Sequence, residues 1–189
     1  MILTGAGQRI YATPTGSLSS SRRSKSMATT TPVAVRLRKV IDSDLAIFFE
    51  QQLDPQANYM AAFTSKNATD HTAFNAHWAK ILADKQIQIR TIVAGGQVAG
   101  YVLHHSWFGD PEVTYWLGRE FWGQGVASRA LKAFLRQHKL RPLYGRVAAD
   151  NTASKRVLEK CGFVVIGEDK GFSTARGEEI VELILVLRG

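Results

Sequence analysis

Apolar positions first fall into order after Pro32, where Val33, Val35 and Leu37 alternate with Ala34, Arg36 and Arg38 at strand spacing. Asp42-Ser43-Asp44 then supplies N-cap chemistry for a helix carrying Leu45, Phe48 and Phe49, which Asp54-Pro55 ends. A second helix is expected from about Thr69-Asp70, with Phe74, Trp78, Ile81 and Leu82 at helical intervals; Phe48, Phe74 and Trp78 read as core aromatics. Residues 87–93 and 98–103 read as two strands joined through Gly95-Gly96, a hairpin signature. Asp110-Pro111 closes a loop, and Glu112–Leu117 reads as a further strand.

From Gly125 the period turns helical: Ala127, Ala130, Leu131 and Phe134 make one face, with Arg129, Lys132 and Arg136 opposite. A strand follows at residues 143–149. Asn151 then caps a helix with Val157, Leu158 and Cys161 turned inward, and Gly162 stands where a C′ glycine belongs. Two last strands, at residues 163–166 and 180–187, are joined by a glycine-bearing loop. The order β-α-α-β-β-β-α-β-α-β-β describes one mixed sheet flanked by helices, without an internal repeat or a second domain.

Within this order, Gly123 and Gly125 fall between a strand and a helix. Glycines there let backbone approach a ligand closely, and the free N–H groups and dipole of the helix favour phosphate. A tight strand-to-helix turn also uses glycine for purely steric reasons, so the pair alone is weak evidence. A Walker loop is excluded, because no Gly-Lys-Ser/Thr follows. A dinucleotide fingerprint is excluded by the late position of the glycines and by the hairpins that interrupt a βαβ run.

Composition narrows the class further. The 189 residues are 45% hydrophobic and 21% charged, as in ordinary globular proteins, and Cys161 is the only cysteine, so there is no disulfide scaffold. No apolar run approaches the roughly 18–20 residues of a membrane helix. The skewed figure is a net charge of +8, which points to a polyanionic partner: nucleic acid, an anionic surface or a phosphorylated small molecule. Half of it lies in residues 1–26, which hold Arg9, Arg22, Arg23 and Lys25, six serines and no acidic residue. That segment reads as a targeting peptide, a basic arm for nucleic acid, or an upstream extension ahead of a start at Met27; the last is favoured, since a secretory apolar core is missing. Residues 27–189 are then a single domain, and nucleic acid is a weak candidate partner for it.

Two segments together carry a resemblance. YWLGREFWGQGVA (residues 115–127) resembles the acyl-coenzyme A loop of the GNAT superfamily of N-acetyltransferases, and DNTASKRVLEKCGF (residues 150–163) resembles the helix that follows it, N-x-x-S-x-x-x-x-x-K-x-G-F. EVTYWL (residues 112–117) is similar to the E-x-x-Y-W-L strand of the ribosomal-protein alanine acetyltransferase subgroup. One position departs from the superfamily's R/Q-x-x-G-x-G/A: the R/Q place is Trp122, an aromatic shared with that subgroup. The resemblance implies an α/β (α+β) fold with a mostly antiparallel central sheet of about seven strands.

It also implies the chemistry. Acetyl-coenzyme A is the co-substrate, with no metal, and the acceptor is a primary amine of a small molecule or a protein N-terminus. Backbone groups at Trp116 and Leu117 would meet the pantetheine arm, and the loop Trp122, Gly123, Gln124, Gly125, Val126 and Ala127 would cradle the pyrophosphate. Asn151 would hydrogen-bond the coenzyme, or serve simply as an N-cap. Arg119, Arg129 and Lys132 are candidates for the remaining phosphate, or a solvated face. Glu112 is the expected base, acting through water, against the alternative of a solvated strand start. Ser154 is placed to protonate the leaving thiolate, against a local capping role. Direct transfer in a ternary complex is implied, in a cytoplasmic monomer or homodimer. A coenzyme-binding module without transfer activity is the alternative.

Other residues carry less. Cys161 has the spacing of a core residue rather than a nucleophile. His104 and His105 point to opposite strand faces and cannot share a metal, and His71 and His77 lie six apart on a helix. Residues 171–179, with Arg176, Glu178 and Glu179, read as an exposed charged loop that borders the acceptor side.

Overall fold

A computed structural model describes residues 33–107 and 109–189. The reading of residues 1–26 lies outside them. The elements are β1 (Val35–Arg38), α1 (Asp42–Gln52), α2 (Pro55–Ala61), α3 (His71–Ala83), β2 (Gln88–Ala94), β3 (Gln97–His105), β4 (Glu112–Leu117), a 3-10 turn (Arg119–Phe121), α4 (Val126–Gln137), β5 (Leu143–Ala148), α5 (Thr152–Lys160), β6 (Val164–Ser173) and β7 (Glu178–Leu187). They form a seven-stranded sheet in the order β1-β2-β3-β4-β5-β7-β6.

Every neighbouring pair is antiparallel except β4–β5. That parallel pair meets at one register position, Glu112 opposite Tyr144, with Tyr144 N bonded to Pro111 O at 2.8 Å. Beyond it the two strands part, and the sheet opens.

Each face has its own core. The apolar side of α4 (Val126, Ala130, Leu131, Phe134) packs with Leu158 of α5 against Ile92, Val102, Leu143 and Val147. On the other face the expected core aromatics Phe48, Phe74 and Trp78, with Ile81, close over Tyr101. Cys161 is half-buried against the α4–α5 core, and burial raises its thiol pKa. The His104 ring meets His138, tilted, at 4.5 Å while His105 stacks on Trp107 at 4.0 Å, so the two histidines do diverge. Among the described residues no helix is long and apolar enough to cross a membrane.

Three local expectations are corrected. The residue preceding α1 is Ile41, and Asp44 acts from the third helical position, accepting from Ile41 N at 3.1 Å. Asp44 is 1% exposed, and Arg38 and Thr91 Oγ1 also bond its carboxylate. Burial raises its pKa but these bonds outweigh it, leaving the pKa below the ordinary value. Asp54-Pro55 does not simply end a helix; Asp54 Oδ1 accepts from Gln56 N and Ala57 N and, with Pro55 at the first position, starts α2. Residues 171–179 are mostly strand: β6 runs to Ser173 and β7 starts at Glu178. β6 pairs only with β7 at the sheet edge, and its exposed Val164, Val165 and Phe172 leave no clean alternation to read.

Candidate active site

The parting of β4 and β5 opens a cavity of about 370 Å³. Trp116 and Leu117 line it from β4, Val147 and Ala148 from β5, Ala57 and Met60 from α2, and Asn151 and Ser154 from α5. The turn into α4 closes one end. Gly123 and Gly125 both have φ +72°, which a residue with a Cβ adopts only at a cost, and a Cβ at either would meet nothing within 4 Å. Gly125 offers no side-chain cap, so the first N–H groups of α4 have no intrahelical partner. They stand beside the cavity, which Gly125, Val126 and Ala127 line.

Trp122 explains its own place in the loop: its Nε1 donates to Leu117 O at 3.1 Å, tying the loop to the end of β4. Trp116 lines the cavity, and its Nε1 is buried without a hydrogen-bond partner. Gln124 turns away from the cavity, its Nε2 donating to Glu120 O at 2.6 Å. Of the cationic candidates, Arg119 pairs with Asp54 at 2.9 Å and bonds Gln56, while Arg129 donates back to Gln124 O at 2.8 Å. Lys132 stays exposed.

On α5 the Asn151 amide is used at both ends. Oδ1 accepts from Ser154 N at 3.0 Å, the expected cap, and Nδ2 donates to Met60 O at 2.8 Å. Ser154 Oγ lies 2.8 Å from the Tyr115 hydroxyl. Burial pushes the Tyr115 phenol up to about 12, so both hydroxyls are neutral proton carriers at the cavity wall.

Glu112 sits differently from its neighbours on β4. It is 3% exposed and accepts from Arg146 Nε at 3.0 Å, and the cavity wall includes Arg146 rather than Glu112. Arg146 Nη1 lies 3.2 Å from Glu182 and 3.6 Å from Asp169. Four strands therefore contribute a row of one guanidinium and three carboxylates. Burial disfavours the Arg146 charge, yet Glu112 and Glu182 hold its pKa above the ordinary value. Burial, helped by the charges of Glu112 and Asp169, pushes Glu182 up to about 7 against the pull of Arg146.

Nine of the residues expected from the sequence thus line one cavity, while Glu112 and Gln124 stand off it. Arg146, Glu182 and Tyr115 escape sequence reading. A charged residue inside an otherwise apolar strand is the available signal for Arg146 and Glu182.

The profile of the acetyltransferase (GNAT) domain matches residues 34–164, and the chain belongs to this family. No curated protein sequence matches it significantly. Solved structures share the fold. The microcin C7 self-immunity acetyltransferase MccE, in complex with acetyl-CoA and AMP, is 15% identical with a TM-score of 0.68, covering 82% of this chain and 92% of its own. RimL, a ribosomal L7/L12 α-N-protein acetyltransferase in complex with coenzyme A, is 18% identical with a TM-score of 0.65, covering 85% and 97%. The spermidine N-acetyltransferase of Vibrio cholerae, in complex with CoA and spermine, is 16% identical with a TM-score of 0.66, covering 80% and 95%.

Proposed function

We propose that this protein moves the acetyl group of acetyl-coenzyme A directly to a primary amine, on a small molecule or a protein N-terminus. The carrying observation is the cavity between β4 and β5, with the uncapped start of α4 at one end and the Ser154–Tyr115 hydroxyl pair in its wall. Three features fit the coenzyme. The parted edges of β4 and β5 leave backbone groups for an amide-bearing arm, the α4 N–H groups suit a pyrophosphate, and the buried Trp116 Nε1 lacks a partner. The coenzyme complexes of MccE, RimL and the spermidine enzyme support the same donor.

In the reaction the amine lone pair attacks the thioester carbonyl carbon, and the C–S bond breaks as the amide forms. The thiolate takes a proton from Ser154 or a water, with Tyr115 resupplying the serine. The nitrogen loses its proton through water towards Glu112. An α-amino group, with a pKa of about 7.7–8.0, depends on that base far less than a lysine at about 10.4. The protein is assigned to the cytoplasm as a monomer or homodimer.

The position of Glu112 favours a second reading, a coenzyme-binding module without transfer, because its carboxylate is already paired with Arg146 and stands off the cavity wall. Two measurements separate them. Coenzyme A should raise the melting temperature under either reading. Thiol release from acetyl-coenzyme A, screened against peptides with free N-termini, polyamines, amino acids and aminoglycosides, should appear only for the enzyme. Glu112→Gln should then cripple turnover and spare coenzyme binding; a kcat unchanged from pH 6 to 9 would remove Glu112 as base.

A further inference from the structure

α2 is too short to persist as an isolated helix, and no basic side chain supports its last turn. Carbonyls at the end of a helix lack intrahelical donors. Here the donors come from distant segments. Tyr59 O accepts from Arg176 Nε at 2.9 Å, Met60 O from Asn151 Nδ2 at 2.8 Å, and Ala62 O from Ser173 Oγ at 2.8 Å. Ala62 itself has φ 63° and ψ −54°, with Phe63 N bonded to Ala61 O at 2.8 Å. That is a γ-turn of the strained, positive-φ kind, which persists only where surrounding contacts over-determine it.

Arg176 contributes one of these three bonds and adds a contact with the Tyr59 ring. It lies in the turn between β6 and β7, where an arginine is ordinarily solvated, yet its side chain is 5% exposed. Nη1 and Nη2 donate to the two carboxylate oxygens of Asp150 at 2.8 and 3.0 Å, and Cζ lies 4.3 Å from the centroid of the Tyr59 ring. One side chain therefore joins the β6–β7 turn, the end of α2 and the residue before Asn151. None of its bonds reaches residues 123–127, the donor-side loop. α2 supplies Ala57, Met60 and Ala61 to the cavity wall.

We propose that Arg176 is a positioning residue that sets acceptor specificity: it latches α2 onto the start of α5 and so fixes the α2 wall against which the acceptor amine must fit. The proposal rests on reading the cavity as the acetyl-transfer site. Arg176 touches neither the amine nor the thioester; it acts through α2.

The test uses the full chain with Arg176→Ala, Arg176→Lys, Asp150→Asn and the exchanged pair Arg176→Asp with Asp150→Arg. Arg176→Ala should raise the acceptor KM by about tenfold, with kcat and the coenzyme A Kd changed by less than about twofold. Lysine cannot serve both Asp150 oxygens and Tyr59 O at once, so Arg176→Lys should fall between. The exchanged pair should recover part of the loss. Amide hydrogen exchange at residues 57–62 should quicken in Arg176→Ala while α4 and α5 stay protected. An unchanged acceptor KM would overturn the proposal. So would a joint loss of kcat, coenzyme affinity and melting temperature, which marks general unfolding. If the wild type binds coenzyme A but acetylates none of the amines, the transfer reading fails by itself. The hold on α2 is then decided by amide exchange alone, and unchanged exchange at residues 57–62 in Arg176→Ala sinks it.

Discussion

The Nε of Arg146 donates to Glu112 at 3.0 Å, joining β5 to β4 close to the one register position where these parallel strands meet. The pair stands where the sheet begins to open, and the Glu182 and Asp169 contacts of the same guanidinium extend it across β7 and β6. One cation thus neutralises part of the charge of three carboxylates that are mostly out of water.

Removing that cation should be costly. Arg146→Met takes the guanidinium away from the buried Glu112 and Glu182, and the expected loss is about 3 kcal/mol in urea unfolding at pH 8. The deficit should shrink at pH 5, where a carboxylate can take up a proton instead. An equal deficit at both pH values would mean that charge is not its cause.

Glu182 gives a stability term of definite sign. Its folded pKa, about 7, stands above the ordinary 4.5, so the folded state holds the proton more tightly. Its contribution is fully present below 4.5 and is lost as pH rises towards 7. Glu182→Gln should therefore gain on the wild type between pH 5 and pH 8, read as the difference in urea midpoints. A gap that stays constant over this range would contradict the raised pKa.

The histidines act in the opposite direction. Burial lowers His138 to about 4, with His104 and Arg141 adding repulsion, and lowers His105 to about 4, with His104 adding to it. The unfolded chain takes up these protons near 6.5 and the folded chain does not, so stability falls as pH drops from about 6.5 to 4. His138→Phe keeps the stack on Phe134 but gives up the bond to Gln88, and should flatten this acid limb in melting temperatures taken from pH 7 to 5.

Gly125 separates binding from folding. A Cβ at φ +72° costs about 1 kcal/mol of backbone strain and meets no protein atom, so Gly125→Ala should fold with a slightly lowered melting temperature. The added methyl projects from the turn that would meet the pyrophosphate, and the coenzyme A Kd should rise about tenfold by calorimetry. Unaltered affinity would move the pyrophosphate away from this turn.

Local pattern makes much of the fold legible in the amino-acid sequence. The strand read at Glu112–Leu117 matches the bounds of β4, the amphipathic period marks α4 and α5, and the strand–glycine–helix turn at residues 123–127 marks the candidate anion site. α2 is not legible, because seven residues hold too little periodicity and Asp54-Pro55 reads equally as a stop or a start. The far end of β6 is hidden for another reason: an edge strand exposes both faces.

The sequence by itself determined most of the elements, the two core faces and the glycine turn at residues 123–127, since each depends on residues within a turn or two of one another. Only the tertiary structure decided which charges meet. Glu112, Arg146, Asp169 and Glu182 come from four strands, and Arg176, Asp150 and Tyr59 from three segments, brought together by sheet order and register. Those are set by how the whole core packs, and no short stretch of chain encodes them.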